Sequence, residues 1–161
     1  MPQTAAAAGV HLSPIYRLAD LIHSDTALRH GIDNTPPAHL LVNLRRLAAG
    51  LEDITALLGH RLVLSSGYRC PALNIRVGGS PTSQHTQGEA ADFTCPDFGN
   101  PIAVALALHH STIQFDQCIL EFDRWVHVSF GTTPRRRTLT IHSTSAGYLD
   151  GLHSATGEQL A

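Results

Sequence analysis

The first half of the chain carries a helical pattern of hydrophobic positions. Apolar residues recur at three- and four-residue steps over 36–58, which predicts one long amphipathic helix that ends at Gly59. The stripe consists of Leu40, Leu44, Leu47, Leu51, Ile54 and Leu58. A shorter stripe between Ser13 and Ser24 predicts a short helix, with Ser13 as the N-cap and a proline in the first helical position. The Ala- and Leu-rich segment 101–109 predicts a third, buried helix.

The second half of the chain changes to β-type runs separated by short polar connections. These runs cover 61–66, 91–95, 117–122, 125–130 and 138–142. The last three follow one another closely and predict an antiparallel meander. Helices followed by strands predict an α+β domain, in which the N-terminal helices pack on a small antiparallel sheet.

Length and composition indicate one globular domain. The chain has 161 residues, of which 43% are hydrophobic and 15% are charged, values typical of a protein that buries a core. No apolar run approaches the roughly 20 residues that cross a bilayer. We expect a flexible arm at 1–10, the domain itself at 11–142, and a weakly ordered C-terminal tail at 143–161.

Charge and cysteine content restrict the partners. The net charge is −2, and all the basic side chains except histidine are arginines, which argues against a nucleic-acid partner. Cys70, Cys95 and Cys118 are widely spaced and fit reduced, buried thiols, with a Cys70–Cys95 bridge as the alternative. The start of the chain lacks the features of a secretory signal. We expect a monomer without a membrane span, made in the cytoplasm.

The long segment 67–88 has no hydrophobic period and leads into a distinctive motif. The pattern S-x-H-x-x-G-x-A-x-D is formed by Ser83, His85, Gly88, Ala90 and Asp92. A neutral imidazole and a carboxylate are suitable zinc ligands. Gly88 permits a sharp turn after His85, so that Asp92, at the start of the next strand, points back at the same ion.

A third ligand is expected from a neighbouring strand. In WVHVSF, strict alternation places Trp125, His127 and Ser129 on one face and the intervening apolar residues on the core side. A histidine on the polar face of a strand, beside an aromatic residue, fits a ligand at the mouth of a cleft. Taken alone, a histidine at this position is more often structural, so the strand pattern makes His127 a candidate ligand that gains weight only in combination with His85 and Asp92.

These segments resemble a known peptidase family. SGYRCPALNIRVGGSPTSQHTQGEAADF followed by WVHVSF is similar to the zinc D-alanyl-D-alanine carboxypeptidases and their L-alanyl-D-glutamate endopeptidase relatives, especially phage-encoded members. That group shares its fold with the Hedgehog signalling domain, and the resemblance covers roughly residues 11–142. It implies a metallopeptidase that cleaves the stem peptide of bacterial peptidoglycan, with one zinc ion on His85, Asp92 and His127.

The resemblance also implies substrate-binding residues. Arg69 matches an arginine that holds the substrate carboxylate, a task suited to the bidentate guanidinium. Ser83 matches a serine that shapes the loop or touches substrate, and Trp125 is expected to contact substrate beside the metal.

The sequence departs from the family at the general base. The usual position holds Arg124, and an arginine cannot accept a proton at working pH. We favour Glu121 as the base, because it would lie across the hairpin from Trp125 or Val126. Asp123 is the second candidate, and Asp116 or a loss of turnover remains open.

Three functional questions stay open at the level of sequence. A non-catalytic zinc module that binds cell wall or a phage structural protein is the alternative to an enzyme, and Arg124 favours it. The bond cleaved is not determined. We expect phage-type release to the cell wall, as for an endolysin, whereas a virion-associated hydrolase or a cytoplasmic recycling enzyme would also fit.

Overall fold

A computed structural model describes Ala7 and residues 9–161 of the chain. The predicted arm at 1–10 therefore lies mostly outside the described residues. The helices are α1 (Leu18–Ile22), α2 (Asp25–Arg29), α3 (Leu41–Leu58), α4 (Pro71–Arg76) and α5 (Pro101–His110), with 3-10 turns at Ala38–Leu40 and Gln84–Gln87. The strands are β1 (Val63–Ser66), β2 (Ala90–Thr94), β3 (Gln117–Glu121), β4 (Trp125–Ser129), β5 (Arg137–Ile141) and β6 (Tyr148–Asp150).

Helix α3 is the central helix of the core, as its apolar stripe predicts. The core-facing residues Leu44, Leu47, Leu51 and Ile54 are fully buried. The helix ends at Gly59, whose φ of 67° is the left-handed conformation that glycine adopts without strain. It begins at Leu41 rather than at residue 36, because the Pro36–Pro37 pair keeps the preceding backbone extended.

The N-terminal cap was predicted at the wrong residue. The Ser13 hydroxyl accepts a hydrogen bond from the Tyr16 amide at 3.1 Å, which closes a local turn instead of starting a helix. Helix α1 begins at Leu18, after Arg17, and α2 follows as a separate short helix. Helix α4, inside the segment 67–88, was not predicted, since its single turn and a half carries no recognisable period.

The sheet has six strands in the order β1-β2-β4-β3-β5-β6. Its pairs are antiparallel except β3–β5, which is parallel. The α+β class is confirmed, but the purely antiparallel sheet and the three-strand meander were wrong. Strand β4 has β2 on one edge and β3 on the other, so β5 pairs with the remaining free edge of β3.

The C-terminal segment 143–161 is packed against the domain, contrary to the expectation of weak order. Strand β6 lies at the edge of the sheet beside β5. Leu152 is fully buried in the main core, and its amide donates to the Ala161 carbonyl at 2.8 Å. The Gly-, Ser- and Thr-rich composition of this segment has no hydrophobic pattern from which these contacts could be predicted.

The two faces of the sheet have different environments. Phe93, Val126, Val128 and Leu120 point into the main core with the helices, whereas Asp92 and its cross-strand neighbours lie on the opposite face.

Cys70, Cys95 and Cys118 are buried and free, so Cys70 and Cys95 are not bridged. Burial raises the pKa of the Cys118 thiol to about 12. Within the described part of the chain, no helix is long and apolar enough to span a membrane.

Candidate metal centre

Two neighbouring strands present a pair of polar side chains on the same face of the sheet. In the antiparallel pairing of β2 with β4, Asp92 lies directly opposite His127. Directly opposed residues in such a pair project their side chains to the same side, about 5 Å apart at Cβ. The register therefore places this carboxylate and imidazole together.

The third side chain comes from the turn before β2. His85 lies in the 3-10 turn Gln84–Gln87, where its amide donates to the Ser83 hydroxyl at 3.3 Å. Gly88 has a φ of 68° and reverses the chain, as its position in the motif predicts. A Cβ at Gly88 would lie 3.0 Å from the Leu44 side chain, so both backbone strain and close packing favour glycine.

The three side chains converge on one point. His85 Nε2 lies 3.2 Å from Asp92 Oδ1 and 3.2 Å from His127 Nδ1. His127 Nδ1 lies 2.9 Å from the same Asp92 oxygen. The residues are only 3%, 5% and 7% exposed in chain order. Among the described residues they form the one group of this kind whose donor atoms could hold a metal ion.

These separations fit a metal ion. Nitrogen and oxygen ligands lie about 2.0–2.1 Å from zinc, so two such ligands of a tetrahedral ion are about 3.3–3.4 Å apart. The three observed distances are close to this value. Two imidazoles and one carboxylate also form a donor set typical of catalytic zinc, which keeps its fourth coordination position for water or substrate.

The protonation of His85 leaves its lone pair directed at the cluster. His85 Nδ1 lies 2.7 Å from the Gly67 carbonyl oxygen, which can only accept, so Nδ1 carries the proton. Nε2 is then the unprotonated nitrogen that a metal requires. A backbone carbonyl in this position fixes the tautomer and the ring orientation, as in known metal sites.

Burial and charge act in opposite directions on this cluster. Burial lowers the pKa of His85, and the nearby Asp92 only partly offsets it. For Asp92 the two histidines outweigh the effect of burial and lower the pKa of the carboxyl. For His127 the hydrogen bond and charge of Asp92 outweigh burial and raise its pKa. These pKa shifts favour an ionised Asp92, a neutral His85 and a protonated His127, whose positive charge a bound cation would replace.

Gly67, whose carbonyl oxygen accepts from His85 Nδ1, lies in a closely packed position. A Cβ at Gly67 would collide with the Leu21 carbonyl oxygen of α1, and the next amide, of Tyr68, donates to that same oxygen at 2.7 Å. Glycine is therefore the residue that fits between α1 and the loop after β1, whose Gly67 carbonyl accepts from His85. Nothing in the sequence pattern indicated this contact, because it joins segments that are distant along the chain.

Arg69 lies beside the cluster. Its Nη2 donates to Asp92 Oδ2 at 3.0 Å, and its Nε donates to the Ser66 hydroxyl at 2.9 Å. Asp92 thus directs one oxygen at the histidines and the other at Arg69. The backbone amide of Arg69 also donates to the His85 carbonyl at 3.1 Å, which links the two loops.

Glu121 and Trp125 lie on the same face, at the end of the next strand pair. They are directly opposite each other in the β3–β4 hairpin, which confirms the predicted placement of Glu121. Trp125 Nε1 donates to Glu121 Oε2 at 2.9 Å. Burial, followed by the charge of Asp92, raises the pKa of Glu121 above its usual value. This carboxylate therefore lies within the electrostatic environment of the cluster.

The other carboxylates considered as a base point elsewhere. Asp123 occupies the hairpin turn with a φ of 54°, and its side chain lies 3.7 Å from His142 Nδ1. Arg124 is exposed. Asp116 is buried and accepts hydrogen bonds from Arg135 and from Gln84, the residue before His85. Asp116 therefore supports the turn Gln84–Gln87 that carries His85, a role that the sequence did not reveal.

Fold and cluster together describe an α+β domain with a buried two-histidine, one-aspartate site on its sheet. The family model described as Peptidase M15 matches residues 14–129, and the chain belongs to this family of zinc D-Ala-D-Ala carboxypeptidases. The resemblance predicted from the sequence is thereby confirmed. No curated protein matches the chain.

Proposed function

We propose that the protein is a zinc-dependent metallopeptidase that hydrolyses a peptide bond in the stem peptide of bacterial peptidoglycan. One zinc ion would be held by His85, Asp92 and His127. The observation that carries this proposal is the convergence of three buried donor atoms at 2.9–3.2 Å in a member of a zinc peptidase family.

A zinc ion in this site would polarise the scissile carbonyl and lower the pKa of a bound water toward about 7. Glu121 would accept the proton of the attacking water and deliver it to the leaving amine. Its partly buried position, which raises its pKa, suits a base that must also act as an acid. The Trp125 indole holds one carboxylate oxygen and leaves the other free for this transfer.

Arg69 would fix the substrate through a carboxylate of the stem peptide. Two of its nitrogens are committed to Ser66 and Asp92, whereas Nη1 makes no hydrogen bond to a described residue. A guanidinium held on one side can present its remaining donors to an anion without a large loss of side-chain freedom. Ser83, which caps the turn of His85, would act mainly by shaping the loop.

The two candidate bonds differ in the carboxylate of the stem peptide that Arg69 would hold. A D-Ala-D-Ala carboxypeptidase would place a terminal carboxylate there, whereas an L-Ala-D-Glu endopeptidase would place a side-chain or α-carboxylate of glutamate there. On the resemblance to phage-encoded members, we propose release to the wall by phage-type lysis.

A second function is favoured by one specific feature. Arg124 occupies the position of the usual base, which suits a non-catalytic module that holds zinc and binds cell wall or a phage structural protein. Under this alternative Glu121 would serve only as the hydrogen-bond partner of Trp125.

Release of soluble fragments from purified peptidoglycan tests the proposal. The zinc-loaded protein should liberate fragments whose masses identify the cleaved bond, a chelator should stop the release, and added zinc should restore it. Binding to peptidoglycan without any release would favour the non-catalytic module. An unchanged rate in the presence of chelator would contradict a metallopeptidase.

A further inference from the structure

Strand β6 extends the face that carries the metal centre. The cross-strand register runs from Trp125 to Glu121, from Glu121 to Ile141, and from Ile141 to Tyr148. Directly paired residues share a face of the sheet. Tyr148 is therefore in the same row as the proposed base, although it follows the region 14–129 that defines the family.

The side chain of Tyr148 is open to a ligand. It is 60% exposed, and its hydroxyl makes no hydrogen bond to a described residue. Burial is the main cause that raises the pKa of Tyr148, and the charges of Glu121 and Asp92 raise it further. The phenol therefore stays protonated at neutral pH and is available as a neutral donor.

A small apolar cluster packs on this part of the sheet. Ile119, Leu139 and Ile141 are buried together on the metal-centre face, with Phe122 packed against them. An ion pair between Arg137 Nη2 and Asp150 Oδ1 at 2.8 Å joins β5 to β6 beside the cluster. Tyr148 is therefore presented from a supported strand, although it lies at the edge of the sheet.

The strand order places Arg69 and Tyr148 on different sides of the metal centre. Arg69 follows β1, at one edge of the sheet, whereas Tyr148 lies on β6, at the other edge. The strands that carry Asp92 and His127 lie between these edges. The Arg69 side offers a cation. The Tyr148 side offers a neutral donor in the same cross-strand row as the Glu121 carboxylate, which would repel a second anion.

We propose that Tyr148 is a substrate-contacting residue that binds the amide portion of the stem peptide on the side of the metal centre opposite Arg69. Its ring packs against the peptide, and its hydroxyl donates to a peptide carbonyl. The polarity of the two sides then orients the substrate, with its free carboxylate at Arg69 and its amide-linked part over β6. This inference rests on the proposed function.

Two substitutions of Tyr148 separate the two contacts. Tyr148→Phe keeps the ring and loses the hydroxyl, and Tyr148→Ala loses both. Leu149→Ala is the matched control, because Leu149 lies on the same short strand, pairs with Thr140, and points to the other face. We expect kcat/KM on a soluble stem peptide to fall about threefold to tenfold for Tyr148→Phe. For Tyr148→Ala we expect about tenfold to hundredfold.

The division of the effect between KM and kcat distinguishes contact from structural support. A contact made equally in the bound substrate and the transition state raises KM and leaves kcat near the wild-type value. A displaced Glu121 would lower kcat instead. Tyr148 variants with wild-type KM, or with a loss confined to kcat, would overturn the inference, as would an equal rise in KM for Leu149→Ala.

A binding measurement keeps this inference distinct from the proposed function. The affinity of a synthetic stem pentapeptide is measured by calorimetry for the zinc-loaded wild type and the Tyr148 variants. If the wild type cleaves nothing but binds the peptide in a Tyr148-dependent manner, hydrolysis fails and the contact stands. If the wild type cleaves and the variants match it in KM and affinity, the contact alone fails. Absence of both cleavage and binding by the wild type overturns both.

Discussion

The two halves of the sheet differ in how their polar side chains are held. On β1, β2 and β4, with the adjoining loop, the three converging residues are buried and each has partners at hydrogen-bond distance. On β3, β5 and β6, Glu121 is partly buried with a single partner and Tyr148 is largely exposed. The first half is preorganised for an ion, whereas the second half remains available to substrate.

This difference predicts different consequences of substitution. A buried polar group that loses its partner costs more than the hydrogen bond itself contributes, because the remaining group stays desolvated. Substitutions in the first half should therefore affect metal binding and stability together. Substitutions in the second half should affect turnover or substrate binding and leave the metal in place.

The largest effect is expected from Asp92→Ala. This change removes the carboxylate that approaches both histidines and Arg69. We expect loss of stoichiometric zinc, loss of fragment release and a lower melting temperature, a greater effect than the roughly 10–100-fold cost of an outer partner of a metal ligand. Asp53→Ala, at an exposed position of α3, is the control. Retention of one zinc per chain in Asp92→Ala would contradict the ligand assignment.

The second-largest effect, from Glu121→Gln, distinguishes the two halves of the sheet most clearly, because hydrolysis should fall while zinc stays bound. Glu121→Gln keeps the shape of the side chain and removes its basicity. We expect unchanged zinc content and a fall in peptide hydrolysis of about 10²–10⁴-fold, the usual contribution of a general base. Asp123→Asn is the matched control, since Asp123 lies two residues away and faces His142. Activity that is lost in Asp123→Asn and kept in Glu121→Gln would reassign the base.

A smaller effect tests the backbone that supports His85. In Gly67→Ala, the new methyl group meets the Leu21 carbonyl and displaces the Gly67 oxygen that orients His85. Loss of such an outer partner should weaken zinc affinity by about 10–100-fold. Gly9→Ala, with no neighbour within 4 Å of the added carbon, should bind zinc as the wild type does. Wild-type affinity in Gly67→Ala would show that this carbonyl does not determine metal binding.

The smallest effect is on stability and depends on pH. The hydrogen bonds from Arg135, opposed in part by burial, lower the pKa of Asp116 below its usual value of 3.8. A lowered pKa in the folded state contributes stability that is complete above the unfolded value and is lost as the pH falls through the folded value. For Asp116→Asn we expect a melting temperature about 2–6 °C lower at neutral pH. Its deficit against the wild type should shrink below about pH 4, and a constant deficit would contradict this linkage.

The two halves also differ in how far the sequence could predict them. His85, Asp92 and His127 follow from a compact motif and from strand alternation, both of which are local properties. The β3–β5 pairing depends on β2 occupying the second edge of β4, a fact that no local pattern contains. Strand β6 is three residues long and lies in a Gly- and Ser-rich segment. The sequence therefore contains no indication that Tyr148 lies on the face of the metal centre.

The central claim is that one zinc ion is held by two imidazoles and one carboxylate. Elemental analysis combined with X-ray absorption at the zinc edge tests it most directly. We predict one zinc per chain, with nitrogen and oxygen ligands at about 2.0–2.1 Å, scattering from two imidazoles and no sulfur. Zinc well below one per chain after loading, or a sulfur ligand at about 2.3 Å, would contradict the account.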